Sequence, residues 1–265
     1  MVCMRPSFLV VVAAMALACP SRLYAQFGPP AAPSPPKSPK DSAPIDLTGY
    51  WVSVVSEGWR WRMVTPLKGD AASVPTNAEA RKVLNAWDPA KDEASGQQCK
   101  AYGAPAIMRV PGRLHVTWQD DRTLKIETDA GRQTRLFHFG GEPPRRAAPS
   151  WQGYSVARWE PSAPIAGPVI PFLLGPRLGA RSRSLEVATT ELRAGYLRKN
   201  GVPYSDKTAL KEYYDLFTEP NGDTWFMVTT VVEDSVYLAA PFVTTTHFKR
   251  LPDASGWQPE PCRAR

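Results

Sequence analysis

Strand-length runs follow one another down most of this chain with only a turn between them, and that pattern leaves few folds open. Residues 52–55, 59–63, 107–110, 114–119, 124–129, 133–139, 153–159, 185–190, 209–218, 225–232 and 242–249 are β-branched, aromatic or alternating in polarity. Pro111-Gly112, Asp120-Asp121, Ala130-Gly131 and Pro220-Asn221-Gly222-Asp223 separate several of them with turn chemistry. In 59–63, strict alternation predicts a strand with Trp59, Trp61 and Met63 on one face and Arg60 and Arg62 on the other. One segment has helical spacing instead. Thr76 and Glu79 form a capping box, Ala80, Val83, Leu84 and Trp87 recur at helical intervals, and Asp88-Pro89 ends the run. An open antiparallel sheet of about ten strands leaves edges exposed, so the expected fold is mainly β, a closed antiparallel barrel of about 8–10 strands with one or two short helices.

The flanking segments divide the chain. Arg5, the apolar run 8–18 and Leu23-Tyr24-Ala25 have the layout of a secretory signal over residues 1–25, which implies a periplasmic or secreted protein. That run is shorter than the roughly 20 residues a membrane-spanning helix needs. Cys19 follows Ala16-Leu17-Ala18, where a lipoprotein signal has Leu three positions before its Cys, so lipid anchoring there is not expected. Residues 26–45 read as a proline-rich linker and 46–265 as one barrel domain. Within it, 161–183 is an apolar insert ending in Arg177, Arg181 and Arg183, a candidate for peripheral membrane contact.

The formal charge of the whole chain is +7, and its cations are interspersed with acids, a distribution that argues against a nucleic-acid partner. Beyond the signal, Cys99 and Cys262 are the remaining cysteines, and an oxidising compartment predicts a disulfide between them. No CxxC pair, Walker loop, dinucleotide fingerprint or HExxH is present, so neither a metal nor a cofactor is expected.

Gly49-Tyr50-Trp51 at the head of the first strand resembles the G-x-W that opens lipocalins. The resemblance implies a lipocalin-like barrel whose Trp closes the base, with Lys249 or Arg250 near the end of the last strand lying over it. The stretch from Leu210-Lys211-Glu212-Tyr213 through Gly222-Asp223-Thr224-Trp225 to Ala240-Pro241-Phe242 is similar to a broad group of secreted bacterial proteins of unknown function that also look lipocalin-like. That similarity implies location and fold, and brings no catalytic residues with it.

The aromatics Trp59, Trp61, Trp118, Phe137, Trp225 and Phe248 are expected along one face, where they can surround a ligand or fill the barrel. The expected ligand-binding set is Trp61, Arg62, Trp118, Arg135, Phe137, His138, Tyr213, Trp225 and His247, around a hydrophobic or amphipathic small molecule in a barrel cavity. A second reading is a barrel enzyme, an isomerase, cyclase or hydratase, in which His138 or His247 meets Tyr213 or Asp215 for acid-base work. A third is an interaction-only module with an exposed apolar patch near 168–174. The three histidines, His115, His138 and His247, fall on three separate predicted strands without a local metal motif.

Overall fold

The computed structural model describes residues 37–141, 148–160 and 184–265. The expected signal segment, the first part of the linker and the insert 161–183 lie outside them. Thirteen strands are described: β1 Gly49–Val54, β2 Arg113–Asp120, β3 Thr123–Thr128, β4 Ala130–Gly131, β5 Thr134–Phe139, β6 Tyr154–Trp159, β7 Ser184–Thr190, β8 Gly195–Arg198, β9 Val202–Tyr204, β10 Ala209–Thr218, β11 Thr224–Glu233, β12 Phe242–Leu251 and β13 Glu260–Pro261. The helices are short: α1 Trp59–Arg62, α2 Ala78–Ala86, α3 Pro89–Ala94 and α4 Ala104–Ile107, with a 3-10 turn at Gln98–Tyr102.

Nine strands close into a barrel in the order β1-β12-β11-β10-β7-β6-β5-β3-β2, with β1 pairing both β12 and β2. The closed barrel agrees with expectation, but the sheet is mixed. β5 and β6 run parallel, with Phe137 opposite Ser155. A parallel pair needs a crossover of about a dozen residues or more, and the connection 140–153 is long enough to provide it where a hairpin turn is not.

Alternation sets the interior. Trp51, Leu114, Val116, Leu124, Ile126, Phe137, Phe139, Ala157, Leu185, Val187, Tyr214, Phe226, Val228 and Phe248 form one buried cluster inside the wall. Ring contacts run across it, from Trp51 to Phe226 at 4.5 Å, from Phe226 to Phe248 at 4.8 Å and from Phe137 to Tyr214 at 5.5 Å. One ion pair lies among them. Arg135 on β5 donates to both carboxylate oxygens of Glu212 on β10, at 2.9 and 2.6 Å, and both side chains are 0% exposed. Thr189 and the Tyr214 hydroxyl complete the cluster. Burial opposes the guanidinium charge, yet Glu212 and Tyr214 outweigh it and hold Arg135 above its ordinary range.

The barrel is covered at both ends. At one end Trp51 donates its indole N–H to Leu47 O, and the Arg250 guanidinium lies 4.5 Å over the Trp51 ring while its Nη2 donates to Asp46 O at 2.6 Å. Residues 37–45, read as linker from composition, are packed here: Trp159 donates to Pro39 O and Lys40 N to Asp121 O, and Ile45 is buried. At the other end a second buried cluster, with Leu84, Ala104, Leu197, Val202, Tyr204, Val232 and Phe242, joins α2, α4 and the β8–β9 hairpin to the barrel rim.

Three expected elements differ. Residues 59–62 form a helical turn rather than a strand, because β1 is already paired on both sides and Gly58, at φ 58°, turns the chain away. Trp59 and Met63 consequently face solvent, and Arg62 is the buried residue of the group. Residues 107–110 close α4 and its following turn, since Pro105 sits in the first turn of that helix. The helix expected after Thr76 is capped by Asn77 instead, whose side chain accepts from Ala80 N; it stops before Asp88-Pro89 as expected, and Asp88 caps a further short helix, α3.

Cys99 and Cys262 form the expected disulfide, tying the C-terminal segment to the 3-10 turn. Cys262→Ser is expected to lower unfolding stability by about 2–4 kcal/mol in a urea titration. For the interior pair, Glu212→Ala should cost about 3–5 kcal/mol by leaving a buried guanidinium uncompensated. The double change Arg135→Met with Glu212→Leu should recover most of that loss, and equal losses for both variants would show that the charges themselves matter little.

Candidate functional site

The nine residues selected from sequence go to four places. Arg135 and Phe137 are buried inside the barrel, with the Arg135 guanidinium 4.9 Å from the Phe137 ring centre, and Trp118 packs inward against Phe139 at 5.4 Å. His138 and Tyr213 point outward, because their neighbours Phe137 and Tyr214 hold the inward positions. His138 stacks on Tyr154 at 4.7 Å, and partial burial lowers its pKa against the pull of Asp120. Trp225 and His247 lie outside the wall and line a groove of about 610 Å³ with Val54, Phe217 and Pro220. Trp61 and Arg62 leave the barrel altogether and border a different pocket.

The acid-base set expected of an enzyme does not meet. His138 is on β5, Tyr213 and Asp215 on β10 and His247 on β12, each on the outer face. His247 Nδ1 lies 3.1 Å from Ser56 Oγ and 3.3 Å from Glu57 Oε2, but both partners address one ring nitrogen, so no relay through the imidazole is formed. His115 stacks on Tyr50 at 4.2 Å. Among the described residues no group of three His, Cys, Asp or Glu side chains could hold a metal ion.

The pocket beside Trp61 has the most unusual chemistry. It is assembled from three separated stretches: α1 and residues 63–65, the end of α4 with Arg109, and the β8–β9 hairpin with Arg198 and Lys199. Gly58 lets α1 start, and a Cβ there would meet Arg109 Nη2 at 3.4 Å. Gly201, at φ 85°, turns the hairpin against Trp87, and a Cβ there would collide with the indole ring.

Arg62 donates from Nε to Arg109 O at 2.9 Å and from Nη1 to Glu57. Arg198 donates to Ser73 Oγ at 3.1 Å and stacks 5.0 Å over the Trp61 ring. Arg109 lies 5.6 Å from the Phe242 ring centre and makes no ion pair or hydrogen bond through its guanidinium among the described residues. Four buried nitrogens, Arg62 Nη2, Arg198 Nε and Nη1 and Trp61 Nε1, have no acceptor among the described residues. Arg62 is 8% and Arg198 5% exposed, so these donors are withdrawn from bulk water.

Electrostatics give the same picture. Burial, then the charges of Arg62 and Arg198, bring Arg109 down to about 10, with Glu57 pulling the other way. Burial lowers Arg198 to about 10 against the influence of Asp70, and lowers Arg62 against Glu57. Three guanidiniums that repel one another, on residues that also carry unused donors, favour a negative charge nearby. The cavity volume is about 100 Å³, below the roughly 300 Å³ at which pockets for drug-sized molecules begin. It suits one small anionic group.

Trp61 and Arg62 were selected from sequence for a strand face they do not occupy. Glu57, Arg109, Arg198 and Lys199 were not selected, and no spacing links stretches this far apart. Comparison with family models, curated proteins and solved structures finds no match to this chain.

Proposed function

We propose that this chain is an exported barrel protein that binds an anionic or amphipathic small molecule by its charged group, in the pocket formed by Arg62, Arg109 and Arg198. The carrying observation is a set of buried guanidinium and indole donors without acceptors among the described residues, on Trp61, Arg62 and Arg198, three residues that line a cavity of single-group size. Glu57 holds Arg62 by one nitrogen and leaves Nη2 for a ligand. Arg198 is positioned by Trp61 and Ser73, so little rotamer freedom remains to be lost on binding. The barrel interior is occupied by buried aromatic side chains and the Arg135–Glu212 pair, which favours the outer pocket as the place of binding. The disulfide suits an oxidising compartment, and among the described residues no helix is long and apolar enough to cross a membrane.

Calorimetric titration with inorganic phosphate and with short carboxylates tests this reading. Arg109→Ala and Arg198→Ala are each expected to weaken binding by about tenfold or more, the size of one lost charge-assisted hydrogen bond. Affinity unchanged in both variants would remove the pocket from consideration.

A second expectation follows from repulsion within the cluster. Since burial and neighbouring cations lower the Arg109 pKa, its charged form opposes folding below about 10 when no anion is bound. Arg109→Met should therefore raise thermal stability in anion-free buffer while abolishing the additional stabilisation that phosphate gives the native protein. Destabilisation by this variant, with phosphate stabilisation intact, would contradict it.

A further inference from the structure

The stretch 59–67 borders the arginine pocket and is the most exposed apolar part of the described chain. Trp59 is 67% exposed, Met63 60%, Val64 64% and Leu67 76%, all above the other large apolar side chains that reach solvent, Phe217, Val236 and Val243. A concentration of exposed apolar side chains of this kind marks an interaction surface. It is also held in place. Fully buried Asn200 donates to Leu67 O at 2.9 Å and to Asp70 O at 2.8 Å, and Pro66 is buried beneath the loop. Those bonds anchor the backbone at the far end of the stretch.

Charge flanks the apolar residues. Arg60 and Lys68 are exposed on either side, while the nearby acids Glu57 and Asp70 face cations of their own, Arg62 and Arg60. Met63 and Val64 line the same pocket as the unpartnered donors of Arg62 and Arg198. Residues that favour an apolar phase thus adjoin donors that favour an anion, the two requirements of a lipid interface met side by side. Trp59 suits that boundary, with an apolar ring and one polar N–H.

We propose that the anion taken by the pocket is the phosphate head group of an anionic lipid, with Trp59, Met63, Val64 and Leu67 seated in the membrane surface around it. This rests on the anion-binding reading given above and adds the partner. In this reading the loop rests in the membrane surface. The contact differs from that expected at 161–183, which lies outside the described residues.

The test uses the full-length mature protein with sedimented phosphatidylcholine vesicles, with and without phosphatidylglycerol, alongside titration with soluble glycerol phosphate. The native protein should sediment with the phosphatidylglycerol vesicles and remain in solution with phosphatidylcholine alone. The double variant Trp59→Ser with Leu67→Ser, both exposed and outside the pocket lining, should lose vesicle affinity at least about tenfold while binding glycerol phosphate as before. Arg198→Ala should weaken both. Glycerol phosphate binding without vesicle binding would overturn the lipid proposal and leave the pocket standing, and failure of both would overturn the two together. Self-association abolished by the double variant, with no vesicle binding, would assign the patch to a second copy of the chain and overturn the proposal.

Discussion

A guanidinium and a carboxylate removed from water hold opposite stretches of the barrel wall in register. Arg135 and Glu212 lie on strands separated by β6 and β7, so their bond spans the interior rather than a neighbouring pair. Desolvating two charges is costly, and only a bidentate geometry with further hydrogen bonds offsets it. A slip of either strand by one residue would send its charge outward and bring His138 or Tyr213, or another outward neighbour, into the apolar centre. The aromatic packing of Phe137, Tyr214 and Phe226 around the pair is consistent with one register and with no adjacent alternative.

Much of the barrel was legible because strands with one wet face write their own alternation. Leu114, Val116 and Trp118 needed no partner to reveal their sidedness, whereas β11 was read one residue out of phase: Trp225 was expected inward, and Phe226, Val228 and Thr230 hold that face. The same rule failed at Trp59-Arg60-Trp61-Arg62, where alternation is present but no free sheet edge exists to receive a strand. Period two describes a surface only once a neighbouring strand is available. The parallel β5–β6 pairing was equally hidden, since nothing in either strand distinguishes a parallel from an antiparallel neighbour; the length of the intervening chain does.

The candidate site was less legible for a different reason. Its arginines come from a turn, a helix end and a hairpin that meet beyond the barrel rim, and each stretch alone looks like an ordinary solvated cation in a loop. What distinguishes them is withdrawal from water with one carboxylate among the described residues, Glu57 on Arg62, in direct contact with the three guanidiniums as a group, a three-dimensional property. Glu57 neutralises part of the cluster and also touches His247, so one carboxylate stands between the arginine pocket and the aromatic groove outside β12.

The barrel's seam has a bearing on how such a chain comes together in time. β1 is the first strand of the wall and β12 the last, and the cylinder shuts only when those two join. A polypeptide emerging from its amino end must keep β1 without its final neighbour until nearly all of the remaining sequence has appeared. Long-range pairings of this kind slow assembly and leave an unsatisfied strand available to other molecules meanwhile. Completion of the cylinder is therefore a late event, and the chain spends its immature life as an open ribbon.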